Sequence, residues 1–198
     1  LFVWRRKTRG RERKGKRDGF DEKLLSVLSS LSDKEQLLVP VLFRLLETKD
    51  EPIWKRLVVV LIAKVVVRLG ADKVSDRQRE FLLNELERNL SQPLIKEGYY
   101  SIEDRARGEY IANLILLLGI LGDPQAIEPI ISSNTSQWKE VIKTDDDDLY
   151  GSPIPRALSY IGKALPLGQK RTRIVDYLIS LLDSEKHHMI RGAIRALG

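Results

Sequence analysis

Residues 50–70 read DEPIWKRLVVVLIAKVVVRLG, and this stretch constrains the fold more than any other. Seven of the eleven residues 57–67 are Val or Ile, a composition that favours strand through its branched side chains. The boundaries argue the other way. An acid followed by Pro52 is a helix start, because proline in the first turn lacks an N–H that would go unbonded anyway. Gly70 is a helix stop. A run of this length between such signals is too long for an ordinary strand, so a helix is expected over 53–69.

Comparable punctuation divides the rest of the chain. Ser32-Asp33-Lys34-Glu35 and Ser75-Asp76-Arg77-Gln78 are capping boxes, in which the serine and the Glu or Gln each satisfy a free amide. They introduce EQLLVPVLFRLLE and FLLNELERNL. Another helix should begin near Ser101 and run to Gly122, and Asp123-Pro124 repeats the acid-then-proline start before QAIEPIIS. Two more are expected near 155–164 and 169–182, and HHMIRGAIRALG closes the chain. Residues 91–101 and 134–152 read as connectors, the second polar and containing Trp138. The helices over 53–69 and 111–121 are apolar around most of their circumference, so each needs neighbours on more than one side.

Self-similarity points to stacked helix pairs. Gly70, Gly119, Gly162 and Gly198 each follow a Leu/Ile-rich run and are expected to end it, while Pro40 and Pro129 recur between apolar pairs. The phrases LLLGILGDPQAIEPI and HHMIRGAIRALG resemble the HEAT and HEAT-like (PBS-lyase-type) repeat family. The likeness covers roughly 20–198 and is sharp at 111–131 and 184–198. An Arg seven residues before the terminal glycine matches at Arg191, whereas the same offset gives Ala63, Ala112 and Pro155 elsewhere, so the repeats are divergent. The resemblance implies an all-α, right-handed solenoid of about four helix pairs. It also implies a partner-binding surface along inner helices near 35–47, 78–90, 124–133 and 169–182. Some members of such families are chromophore lyases for phycobiliproteins or DNA glycosylases, but no residue here identifies their active sites.

Little in the sequence carries recognisable chemistry. There is no cysteine, which excludes disulfides, thiolate zinc sites and thiol nucleophiles. GRERKGKR at 10–17 resembles a phosphate-binding loop but places Arg17 where a hydroxyl is required, with no strand feeding it. DDDDLYG at 145–151 would put Ala157 where a calcium loop needs a bidentate glutamate, so it reads as a solvated acidic loop. His187 and His188 are adjacent and point about 100° apart on a helix, unlike a metal-binding pair one turn apart. Glu103, Asp104 and Glu109 carry no specific signal as a carboxylate pair. Trp54 and Trp138 read as packing residues, with Trp138 the better candidate for a contact surface. No catalytic, cofactor or metal residue is expected, and no small-molecule substrate is evident.

The charge is lopsided. Residues 1–19 hold nine cations against Glu12 and Asp18, while the remainder is nearly balanced, with 25 cations and 26 anions. A body-wide nucleic-acid cradle is therefore not expected. The order Leu1-Phe2-Val3-Trp4 and then Arg5, Arg6, Lys7, Arg9, Arg11, Arg13, Lys14, Lys16 and Arg17 fits the exit from an apolar span. Trp4 would sit at the lipid boundary and the cations on an anionic cytoplasmic surface. The same cations could neutralise nucleic-acid phosphates, or form a linker without a ligand. The apolar runs at 57–63 and 114–122 are too short to span a bilayer. The chain reads as a piece of something longer at both ends. A disordered basic segment over 1–19 and a repeat domain over 20–198 are expected, forming a non-enzymatic protein-binding scaffold held at the cytoplasmic face of a membrane.

Overall fold

The 19-residue helix Ile102–Ile120 packs against three other helices and buries side chains all around its axis. Tyr110, Ile111, Ala112, Leu114, Ile115, Leu117 and Leu118 are all fully enclosed. No single stripe could do this, which is why its sequence lacks the usual apolar–polar alternation. The computed structural model describes residues 35–48, 50–94, 100–142 and 152–198. The helices in these segments are α1 (Glu35–Thr48), α2 (Pro52–Leu69), α3 (Asp76–Ser91) and α4 (Ile102–Ile120), then α5 (Ile127–Ser133), α6 (Pro153–Ala164), α7 (Gln169–Ser180) and α8 (His187–Leu197). Among the described residues the fold is all-helical and contains no strand. Residues 38–198 form one compact unit.

Within 38–198, α4 packs against α2, α3 and α6, and α6 in turn packs against α5, α7 and α8. α1 meets α3 through Phe43 and Phe81, whose rings stand edge to face at 6.5 Å and 73°. The buried set of α2 (Val58, Val59, Ile62 and Val66) recurs at helical spacing. The 53–69 stretch is therefore helical, as its boundaries require and its valines do not.

Local signals account for most of the ends. Gly70 closes α2 at φ +103°, a conformation that favours glycine. Ser75 with Gln78 and Ser101 with Asp104 form complete capping boxes. Asp123 accepts the Gln125 amide at 2.9 Å, and Pro124–Ala126 form a 3₁₀ turn into α5. Ser32, Asp33 and Lys34 of the other expected capping box lie outside the described residues.

Two glycine expectations need correction. Gly119 and Gly162 lie inside α4 and α6 and do not terminate them. The stop after α4 is Gly122 at φ +66°. Gly119 has a different reason to lack a side chain: a Cβ there would come within 2.5 Å of the Ala157 Cα. Arg79 joins two helix ends near this point. Its guanidinium donates to the carbonyls of Ala71 at 2.7 Å, Leu121 at 2.9 Å and Val74 at 3.3 Å. Carbonyls just past the ends of α2 and α4 are thereby tied to one side chain of α3.

Candidate functional site

The buried stripe of α2, extrapolated one turn toward its start, falls on Lys55. That of α3, through Leu82, Leu86 and Asn89, takes in Glu85. Both charged residues are only 5% exposed. Removing two charges from water costs several kcal/mol each unless they meet with good geometry and further hydrogen bonds. Here they do. Lys55 Nζ donates to Glu85 Oε2 at 3.0 Å, and the Tyr110 hydroxyl of α4 donates to the same oxygen at 2.7 Å. Arg88 pairs with Oε1 from the next turn of α3. Three donors from three helices thus converge on one carboxylate.

Tyr110 is held in its protonated form. Burial raises its pKa well above the ordinary tyrosine value, and the adjacent Glu85 carboxylate raises it further. The Lys55 ammonium also stands 5.9 Å from the centre of the Tyr110 ring, within reach of a cation–π attraction.

A second cation lies one turn earlier on α4. Arg107 is placed over the Trp138 indole, with its guanidinium carbon 5.7 Å from the ring centre. Trp138 belongs to a 3₁₀ turn at Gln137–Glu140, and its indole N–H donates to the Gln92 carbonyl at 2.9 Å. The Gln137 amide donates to the same carbonyl at 2.7 Å. This turn is thus fastened to the end of α3. Gly108 lets the chain come close on the other side, since a Cβ there would collide with the Val141 carbonyl oxygen.

Between these groups is an open pocket of about 200 Å³. Lys55, Tyr110, Arg88 and Arg107 line it, with Asn89 and Gln92 on the wall and Asp50 and Pro52 at the start of α2. It can bind by charge and hydrogen bonding. Glu85, which is not in the lining, already accepts from three of the residues that are.

Trp4, Arg5, Arg6, Lys7, Arg9, Arg11, Arg13, Lys14, Lys16 and Arg17 lie outside the described residues, as does the acidic run 145–148. Trp138 is fully buried, so it is no contact surface; Trp54, expected to pack, is 45% exposed. His187 and His188 begin α8, as their position suggested. Asp104 closes the α4 capping box and Glu109 pairs with Arg56 of α2. Among the described residues no three His, Asp or Glu side chains gather as metal ligands, and no helix is long and apolar enough to cross a membrane. Lys55, Glu85 and Tyr110 were missed. The available signal was a charge standing on each of two apolar stripes.

No protein-family model matches the sequence, nor does any curated protein or solved structure.

Proposed function

We propose that the chain is a non-enzymatic interaction scaffold, a short right-handed array of divergent HEAT-like helix pairs that holds another protein. In this reading its basic segment 1–19 rests on the anionic cytoplasmic face of a membrane. The run of helix-to-helix neighbours from α2 through α4 and α6 to α8 is what a stacked array needs. The observation that carries the scaffold reading is a doubled apolar face near the end of the chain. α7 and the turn after it bury Ile174, Leu178 and Leu181, yet leave Val175, Ile179 and Leu182 exposed beside them. Ile194 and Leu197 of α8 are exposed as well, at 59% and 40%. Apolar side chains repeated at helical spacing on the solvent side mark a surface awaiting a protein partner.

A photoreactive amino acid placed at Ile179 in cells of the source organism tests this, with Lys163 as a control position. The scaffold reading expects a discrete protein adduct at 179 that Ile194→Glu abolishes. Adducts to nucleic acid, or none at 179, would remove it. For the tail, flotation with phosphatidylserine vesicles should be lost on deleting 1–19. Retention of flotation after that deletion would refute the tether.

A further inference from the structure

We infer that the pocket beside Lys55 receives a single carboxylate. The reading is independent of the scaffold, because small probes test it without any protein partner. Lys55 carries three N–H donors and gives one to Glu85; among the described residues no other acceptor bonds to it. Its ammonium is nearly enclosed, yet it lines the cavity. Arg107 presents the second donor group. Its guanidinium carbon lies 5.7 Å from the centre of the Trp138 ring and, among the described residues, the side chain makes no ion pair. A cation–π contact uses none of the guanidinium's N–H donors and leaves them available for an anion. Glu85 does not compete for it, since both of its oxygens are already taken.

Charge and size select the ligand. The lining sets Lys55, Arg88 and Arg107 against Asp50, and Glu85, paired with Lys55 and Arg88 though not itself in the lining, brings the group to one net positive charge. A monoanion balances this. A phosphate dianion would leave excess negative charge beside Asp50. About 200 Å³ holds a carboxylate on a short stem but falls below the roughly 300 Å³ at which sites for drug-sized ligands begin. Charge-assisted hydrogen bonds from the ammonium and the guanidinium would hold the two oxygens. The carboxylate could come from a free small acid or from an acidic side chain of a polypeptide.

The test is NMR of the whole chain, following the Trp138 indole N–H and the Arg107 Nε–H. The probes are propionate, N-acetyl-glutamate α-amide, its neutral glutamine counterpart and inorganic phosphate. Both carboxylates should give saturable shifts with millimolar affinity, the glutamine compound none, and phosphate weaker binding than either. Tighter propionate identifies the free acid as the source; tighter glutamate amide identifies the polypeptide. Arg107→Gln should weaken binding about tenfold or more, the loss of one charge-assisted contact. Lys170→Gln, on α7 away from the pocket lining, should change nothing, and Arg107→Lys should retain part of the affinity. If Arg107→Gln proves unfolded by circular dichroism, the wild-type probe series and Arg107→Lys still decide. Absence of saturation, phosphate binding more tightly than the carboxylates, or equal loss with Lys170→Gln would each overturn the inference.

Discussion

A side chain on Gly119 would begin 2.5 Å from the Cα of Ala157, so α4 and α6 meet almost backbone to backbone. The Ala157 Cβ and carbonyl oxygen would lie at 2.7 and 2.9 Å from the same atom. Gly119→Ala should therefore push the two helices apart and destabilise the fold by about 1–3 kcal/mol, the usual cost of overpacking. Adding Ala157→Gly removes the side-chain clash but leaves the backbone one, so it should recover only part. Urea denaturation of the single and double variants measures both effects.

The buried pair of α2 and α3 can be broken by removing one partner or removed whole. Glu85→Ala leaves the Lys55 ammonium and the Tyr110 hydroxyl without their shared acceptor, and should cost about 3–5 kcal/mol. Lys55→Met with Glu85→Leu removes both charges together and should cost far less, or stabilise. A thermal melt in which the double variant is weaker than Glu85→Ala would contradict the description of a buried carboxylate that holds Lys55 and Tyr110.

Tyr177 on α7 makes alkaline pH a probe. Its hydroxyl is buried without a well-directed hydrogen bond; Asn134 lies near enough to offset only part of the effect. Burial pushes its pKa up to about 12. A raised value means the folded state holds the proton more tightly than the unfolded chain. Its contribution is complete below about pH 10, the ordinary tyrosine value, and is lost as pH rises from there through about 12. Tyr177→Phe should flatten part of the stability decline over that window in chemical denaturation. It should also stabilise the protein near neutral pH by about 1 kcal/mol, because an unpaired polar group leaves the interior. An unchanged alkaline slope would count against this account.

Arg79→Met should destabilise by about 2–4 kcal/mol, since it removes charge-assisted bonds to three carbonyls while keeping the aliphatic stem. Arg79→Lys should recover only part, because a point charge cannot span acceptors spread as a guanidinium's are. Thermal unfolding of the two variants gives the comparison.

Much of the helical layout was legible because its boundaries are local chemistry. Ser75, Ser101, Asp123 and Gly70 act within a turn of their own positions, so short sequence windows contain the whole signal. Gly119 was misread because a glycine after leucines serves equally for a helix stop and for a close crossing, and only the position of Ala157 separates the two. Trp138 sits among polar residues, yet its burial depends on Gln92 and Arg107, 46 and 31 residues earlier. The pocket was hidden for the same reason. Lys55 and Glu85 each interrupt an apolar stripe, but that they interrupt it at the same place in space is a property of how α2, α3 and α4 cross.

Because Arg79 binds Ala71 and Leu121 at once, two stretches fifty residues apart share one fastening. Neither end can fray without releasing the other. Amide exchange at the ends of α2 and α4 should therefore proceed as one opening event with a common free energy, and the middle of this chain should come apart as a block, with no progressive peeling from either side.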